Sequence, residues 1–486
     1  MKNWQTLKCR RVVNNLKERI DKLTAYDAQL ETLWDTERST FTQKIIVLDD
    51  DPTGVQTVHG IPVYTDWSAE TIQEMFEEPR QLVFLLTNSR AFSVEETTKV
   101  HTQIAERIAM AAKKTGKEFL VISRGDSTLR GHYPLETEVI KNTLEKNNAY
   151  KVDGEIIIPF FKEGGRETID DVHYVIQNGK YVPAGETEFA KDRMFGFTKS
   201  NLKEYIAEKT QNAHPASSVL SVSLEELRAV NIEVIEKKLH QLENFQKLIV
   251  NAVTEEDLKV FTIALIRVMN QGKHFLFRTA ASFTKVIGNI SSKPYLTKND
   301  VMHNETNAGG LIVVGSHVQK TTDQLNELKK LQTVEFIEFH CNLVIDAKKF
   351  AEEVERIQQK INEKVSEGTT VCVFTSRTRL DLGEGRQEEE LALSVKISSA
   401  VTQFVANCQP QPAFVVAKGG ITSSDVGTIG LAVKKAEVAG QIAPGIPVWQ
   451  TGEESRFPGI PYIIFPGNVG EVETLRDVVE KLSHKE

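Results

Sequence analysis

Short, wholly apolar runs recur along this chain, and each stops abruptly in a loop rich in glycine, arginine or aspartate. Ile45–Leu48 runs into Asp49-Asp50-Asp51-Pro52-Thr53-Gly54, and Leu82–Leu86 into Thr87-Asn88-Ser89-Arg90. Phe119–Ile122 runs into Ser123-Arg124-Gly125-Asp126-Ser127-Thr128-Leu129-Arg130-Gly131, and Ile156–Ile158 is followed by Gly164-Gly165-Arg166-Glu167-Thr168. An unbroken apolar run of this length is a strand buried on both faces. Helical patterns separate several of the runs; one opens at Ser93 with Glu96 three residues on, a capping box, and continues to about Lys114. Strands joined by helical crossovers make a parallel sheet covered on both sides.

The pattern restarts after residues 290–308, a stretch of Ser, Lys, Pro and Asn with paired glycines that looks like a linker. Leu311–Val314 leads to Gly315-Ser316-His317, and Thr370–Phe374 to Thr375-Ser376-Arg377. Phe414–Ala417 leads to Lys418-Gly419-Gly420-Ile421-Thr422, and Tyr462–Phe465 to Pro466-Gly467-Asn468-Val469-Gly470. The expected class is α/β with two domains, each a mainly parallel sheet flanked by helices. Their expected bounds are a helical extension over 1–40, a first domain over 41–290, a linker over 291–308 and a second domain over 309–486. Helices are expected over about 322–331 and 388–407, and residues 174–196 as a loop-rich excursion.

Ligands of open parallel sheets gather at the carboxyl ends of strands, and the first-half loops carry matching chemistry. Arginine grips a carboxylate with a forked pair of hydrogen bonds, aspartate takes a hydroxyl's proton, and glycine admits a close backbone approach. Adjacent carboxylates at Asp49, Asp50 and Asp51 repel, and a cation or a hydroxyl-rich ligand relieves them. This composition suits a small, anionic, hydroxylated molecule. In the second half, strand, glycine turn and helix start recur three times, an arrangement that holds phosphates through backbone N–H groups. No GxxxxGK[ST] or GxGxxG opens a helix, so neither an ordinary P-loop nor a dinucleotide fold is indicated.

The net charge of −8 supplies no basic field for nucleic acid. No apolar stretch is long enough to span a bilayer. Cys9, Cys341, Cys372 and Cys408 form no CxxC pair, which argues against a zinc site or a disulfide scaffold. Met1-Lys2-Asn3-Trp4 leads into charged sequence rather than a signal core, so the expected compartment is the cytoplasm. Residues 5–38 carry a roughly helical apolar pattern, suited to packing on the main body or to a homodimer contact.

Asp50-Asp51-Pro52-Thr53-Gly54 and Arg124-Gly125-Asp126-Ser127-Thr128-Leu129-Arg130-Gly131 together resemble the four-carbon acid sugar kinase family. The resemblance continues through Gly165-Arg166-Glu167-Thr168, Gly315-Ser316, Gly419-Gly420-Ile421-Thr422 and Pro466-Gly467-Asn468-Val469-Gly470, over about residues 44–475. Arg124 stands where Lys is common in the family, and Ile421 where an acid is common. The resemblance implies an acid-sugar domain, an ATP domain and an active site in the interdomain cleft, with Mg²⁺ accompanying the ATP. It implies substrate contacts from Asp50, Asp51, Arg90, Arg124, Asp126, Ser127, Thr128, Arg130 and Arg166. It places ATP on Ser316, Gly419, Gly420, Ile421, Thr422, Gly467 and Asn468, and phosphorylation at the terminal hydroxyl of threonate, erythronate or an oxo-tetronate. Asp126 or Asp51 is then the acid that orients and deprotonates the hydroxyl; no metal ligands are assigned. Two other classes share the same arginines and acids: a dehydratase or aldolase of acid-sugar phosphates, and a non-catalytic acid-sugar sensor.

Overall fold

A computed structural model describes residues 26, 29–303, 306–377, 386–467 and 469–483, apart from the side chains of 387, 388 and 391. In chain order the strands of the first half are β1 (Lys44–Asp49), β2 (Ile61–Tyr64), β3 (Leu82–Leu86), β4 (Phe119–Arg124), β5 (Gly154–Ile158), β6 (Arg166–Ile169), β7 (Val172–Gln177), β8 (Lys180–Pro183), β9 (Leu220–Val222), β10 (Gln246–Val250) and β11 (Phe275–Thr279). Those of the second half are β12 (Leu311–Val314), β13 (Val334–Phe339), β14 (Thr370–Thr375), β15 (Val415–Lys418), β16 (Lys435–Ala443), β17 (Ile446–Thr451) and β18 (Pro461–Phe465).

The chain forms two compact units. The first holds the described residues up to Asp50, with Trp67–Val83 and Phe92–Ser291. The second holds Ser292 onward, with two short stretches from the first half, Asp51–Asp66 and Phe84–Ala91. The division therefore falls within β3.

In the first unit the strand order is β1-β4-β11-β5-β10-β9, and every one of these pairs is parallel. Ile45, Ile46 and Val47 are fully buried; each such aliphatic side chain contributes about 1.5–3 kcal/mol over its exposed state. The helix Val94–Thr115 starts at the Ser93/Glu96 capping box and ends on Gly116 at φ 66°, a left-handed cap that glycine adopts without a Cβ penalty. Helix Gln29–Ser39 buries Leu30 and Trp34. The Trp34 indole donates to Asn289 at 3.2 Å and Arg38 Nε to the Ile287 carbonyl at 3.0 Å. The rest of the N-terminal segment, up to residue 25 and at 27–28, lies outside the described residues.

One expectation changes here. Residues 174–196 are not simply loop: β6, β7 and β8 form a separate antiparallel sheet. β7 alternates half-buried and buried residues, β6 buries only Thr168 and Ile169, and β8 buries none, so no continuous apolar run marks them. The helix expected over 322–331 spans Gln319–Leu328, and that over 388–407 spans Gln387–Ala406.

The second unit orders its strands β13-β14-β12-β15-β18-β17-β16-β2. From β13 to β18 all pairs are parallel; β17 and β16 add an antiparallel hairpin, and β2 pairs antiparallel with β16. Among the described residues no helix is long and apolar enough to cross a membrane. Cys341, Cys372 and Cys408 are free and buried.

Candidate active site

In the first unit, β4 is buried along its length and delivers Arg124 at its carboxyl end. The Arg124 guanidinium lies 3.5 Å from Asp49 and 3.9 Å from Asp50. Two of the three carboxylates expected to need a cation or a hydroxyl-rich ligand are thus met by the protein's own arginine. Arg124 is buried, and its Nε has no hydrogen-bond partner in the structure. Asp126 accepts from Arg130 Nε at 2.7 Å and, more closely still, from the Thr128 hydroxyl. Arg130 also lies 3.8 Å from Asp192 and stacks over the Phe189 ring at 5.1 Å, so the 184–196 segment borders this group. Leu129, buried at φ 69°, occupies a backbone region uncommon for a branched side chain. Its carbonyl accepts from Tyr205 at 2.9 Å.

Arg166 starts β6 and belongs to the same electrostatic group. Burial holds its guanidinium below the ordinary value, with Asp126 opposing and Arg130 reinforcing that shift. Its Nε is likewise buried without a partner. A desolvated guanidinium donor on Arg166 near Asp126 and Arg130, and another on Arg124 at Asp49 and Asp50, suit an anionic ligand better than a dry core.

Ser127 and Thr128 are buried in the loop, and the Ser127 carbonyl receives His173 Nε2 at 2.8 Å. That contact puts the imidazole proton on Nε2, leaving Nδ1 to accept from the Thr168 hydroxyl at 3.0 Å. Burial pushes the His173 pKa down to about 4, from an ordinary 6.5. Unfolded protein therefore binds this proton first as pH falls. The stability is complete above about pH 6.5 and is lost progressively down to about pH 4, by about 3 kcal/mol. In urea titrations across that window, His173→Gln is expected to show a shallower loss than the wild type; parallel losses would remove His173 as the cause.

The second unit gathers the glycine loops. Gly419 has φ 128°, and a Cβ there would lie 3.1 Å from Ser316 Cβ; one on Gly467 would lie 3.1 Å from Ser316 Oγ. A Cβ on Gly315 would strike Thr422 Oγ1. Ser316, Gly419, Thr422 and Gly467 are thus one cradle, which side chains on those glycines would fill. A cavity of about 340 Å³ adjoins it, lined by Gly315, His317, Thr375, Ile397, Ile421 and Thr422 among others. That volume falls in the range of small-ligand clefts, about 300–1,000 Å³. Ile421 is exposed. Asn468 lies outside the described residues.

The expected helix starts are uneven. Gln319–Leu328 follows the first loop closely, Gly420–Asp425 opens at the second and runs on as a π-helix through Val426–Gly430, and the last helix starts only at Thr474. Two helix starts and the loop amides are what this cradle offers, rather than three helix starts.

Asp51 and Arg90 also belong to the second unit. They pair at 3.2 Å, and Asp51 Oδ2 would lie 3.8 Å from a Cβ on Gly420. Among the residues proposed for substrate, these two therefore stand with the glycine cradle. Asp50 remains in the first unit.

Residues not singled out from sequence complete both groups. Lys418, fully buried, donates to the Pro466 carbonyl at 2.6 Å and lies 3.9 Å from the Phe465 ring centroid. Burial, with Lys320 nearby, pushes its ammonium down to about 6. Arg278, near the end of β11, contacts Ser123 and Glu136. A charged residue at the carboxyl end of an otherwise apolar strand was the available signal in both cases: Arg278 is next to last in β11 and Lys418 last in β15.

Two sequence profiles match this chain: a sugar-binding N-terminal domain over residues 45–287 and a nucleotide-binding C-terminal domain over 311–475. The chain belongs to the four-carbon acid sugar kinase family. It is similar to the D-erythronate kinase of Heliobacterium modesticaldum, 22% identical over 365 residues, which are 73% of this chain and 75% of that protein. Its fold is that of a Salmonella typhimurium LT2 protein described as a tRNA synthase, with TM-score 0.66 at 16% identity over 90% of this chain and 98% of the other. A Haemophilus influenzae protein matches with TM-score 0.61 at 16% identity, over 90% of this chain and all of the other.

Proposed function

We propose that this chain transfers the γ-phosphoryl group of ATP to the terminal hydroxyl of a four-carbon sugar acid: threonate, erythronate or an oxo-tetronate. The observation that carries the reading is a pair of incompletely bonded guanidinium groups in the first unit, each with a buried, unpartnered Nε: Arg124 against Asp49 and Asp50, and Arg166 in the field of the Asp126–Arg130 ion pair. A sugar acid presents a carboxylate and a row of hydroxyls to such a group. The family membership and the likeness to an erythronate kinase support the same class.

In this reading Arg124, Arg166 and Arg130 hold the acid, and Ser127 and Thr128 border its hydroxyls. Asp126 orients the attacking hydroxyl and receives its proton, its own carboxylate held in place by Arg130 and Thr128. The new bond joins that oxygen to Pγ as the bond from Pγ to the β,γ-bridging oxygen breaks, leaving ADP. Such a transfer demands chiefly positioning and charge neutralisation. Ser316, Gly419, Gly420, Thr422 and Gly467 would cradle the phosphates, and the neighbouring cavity would take the nucleoside. Mg²⁺ would be held by the phosphates and Asp51, the carboxylate facing Gly420; one carboxylate plus phosphates is a common Mg²⁺ arrangement. It would supply neutralisation of phosphate charge.

ADP release from ATP and Mg²⁺ across threonate, erythronate and their 2- and 3-oxo forms tests this directly. Turnover with one member is expected. Silence with every acid, together with no ATP binding by calorimetry, would overturn both halves of the assignment.

A further inference from the structure

The loop Arg124–Gly131 carries two glycines, and space at both is taken by one side chain. A Cβ on Gly125 would lie 2.3 Å from Arg278 Cζ and 2.3 Å from its Nη2; one on Gly131 would lie 2.6 Å from Nη2. Gly131 has φ 119°, but Gly125 has no such left-handed backbone. Gly125 is glycine for room alone. The room is filled from within the first unit, by a guanidinium on β11 rather than by a ligand.

That guanidinium cannot swing aside without loss. Its Nη1 donates to Ser123 Oγ at 3.0 Å and to the Glu136 carboxylate, and its Nη2 donates to the Arg130 carbonyl at 3.3 Å. Glu136 is buried. The parallel register sets Arg278 beside Ser123 and Thr279 beside Arg124, and Gly125 N donates to the Thr279 carbonyl at 2.9 Å. The Asp126–Arg130 ion pair is therefore framed by two residues, Gly125 and Gly131, that both close on Arg278. Asp126 and Arg278 also line a hollow of about 20 Å³, room for about one water and far too little for a sugar acid.

We propose that Arg278 is a positioning residue for the sugar-acid site: the loop is wound around its guanidinium, and Gly125 is a glycine in order to admit it, while Gly131, which its backbone already requires to be glycine, leaves room for the same group. Arg278 then sets where Asp126 and Arg130 point without touching substrate. The kinetic part of this inference rests on the kinase reading above; the packing part does not.

A double-mutant cycle on the full chain separates the two. Gly125→Ala, Arg278→Met and the double variant are compared by thermal unfolding, which needs no substrate. Gly125→Ala is expected to lower Tm by several degrees in the wild type and by almost nothing once Arg278 is gone. Equal losses in both backgrounds would overturn the proposal, because Gly125 would then serve something other than Arg278. Should Arg278→Met not fold, Arg278→Met/Glu136→Gln, which leaves no unpaired buried carboxylate, takes its place in the cycle. Kinetics with D-erythronate and MgATP, well below every Tm, supply the second readout. Arg278→Met is expected to lose tenfold or more in kcat with KM for ATP unchanged; a purely structural residue would leave kcat intact there, and that result would overturn the positioning role. If the wild type turns over none of the C4 acids, the kinase reading has failed and the unfolding cycle still decides the packing claim.

Discussion

Asp126→Asn is expected to cut turnover at saturating ATP and acid by about 10²–10⁴-fold, the usual contribution of a positioned general base. The substitution keeps side-chain shape and leaves an oxygen to accept from Arg130 and Thr128, which now bind the carboxylate. What it removes is the charge that receives the hydroxyl's proton. The affinity for ATP, measured by calorimetry, is expected to hold, because the glycine cradle is built from second-unit residues. Steady-state ADP release is the measurement. An unchanged kcat would end the role assigned to Asp126 and turn attention to Asp51.

The largest stability effect is expected away from that site. Lys247 and Glu155 face each other in the β10–β5 register, both fully buried, with Nζ 2.6 Å from the carboxylate. The ammonium also lies 3.5 Å from the Phe245 ring centroid, and Tyr133 donates to the same carboxylate at 3.3 Å. Lys247→Met leaves Glu155 buried without its cation, a loss of about 3–5 kcal/mol. Replacing both partners, as Lys247→Met/Glu155→Gln, is expected to recover most of it, since two desolvation penalties vanish with the pair. Urea unfolding midpoints with their slopes give the numbers. A loss below about 1 kcal/mol for the single variant would mean that water or another group compensates Glu155.

The strands that were legible as unbroken apolar runs are parallel strands buried on both faces, where a polar side chain would find no water. Ile45–Leu48, Phe119–Ile122 and Phe414–Ala417 all match strands of the structure. The sheet of β6, β7 and β8 was not legible, since one of its faces is only half-buried and tolerates Glu167, Tyr174 and Tyr181. The arginine- and aspartate-bearing loops were visible as loops, but their internal pairings were not. Arg124 answering Asp49 and Asp50 depends on the β1–β4 register, which places Asp49 opposite Arg124. Arg278 lay in an apolar run, and only the alignment of β11 with β4 brings it beneath Gly125. Asp51 and Asp50 are neighbours in sequence yet fall in different units, a separation no local pattern encodes.

Strand β2 carries a consequence for how the gene can be divided. It pairs with β16 from Ile61↔Val438 to Tyr64↔Lys435, and Gly60 N and Thr65 N extend the ladder to Val438 and Lys434. The second unit thus depends on a strand encoded more than two hundred residues before its main body begins at Ser292. A fragment translated from residue 292 would start life with one ladder of β16 amides and carbonyls bare, the kind of edge that recruits another chain. The two profile matches run one after the other in sequence, but the halves are not interchangeable cassettes. Recombination or fragment expression at the intervening segment would separate β16 from the strand it pairs with.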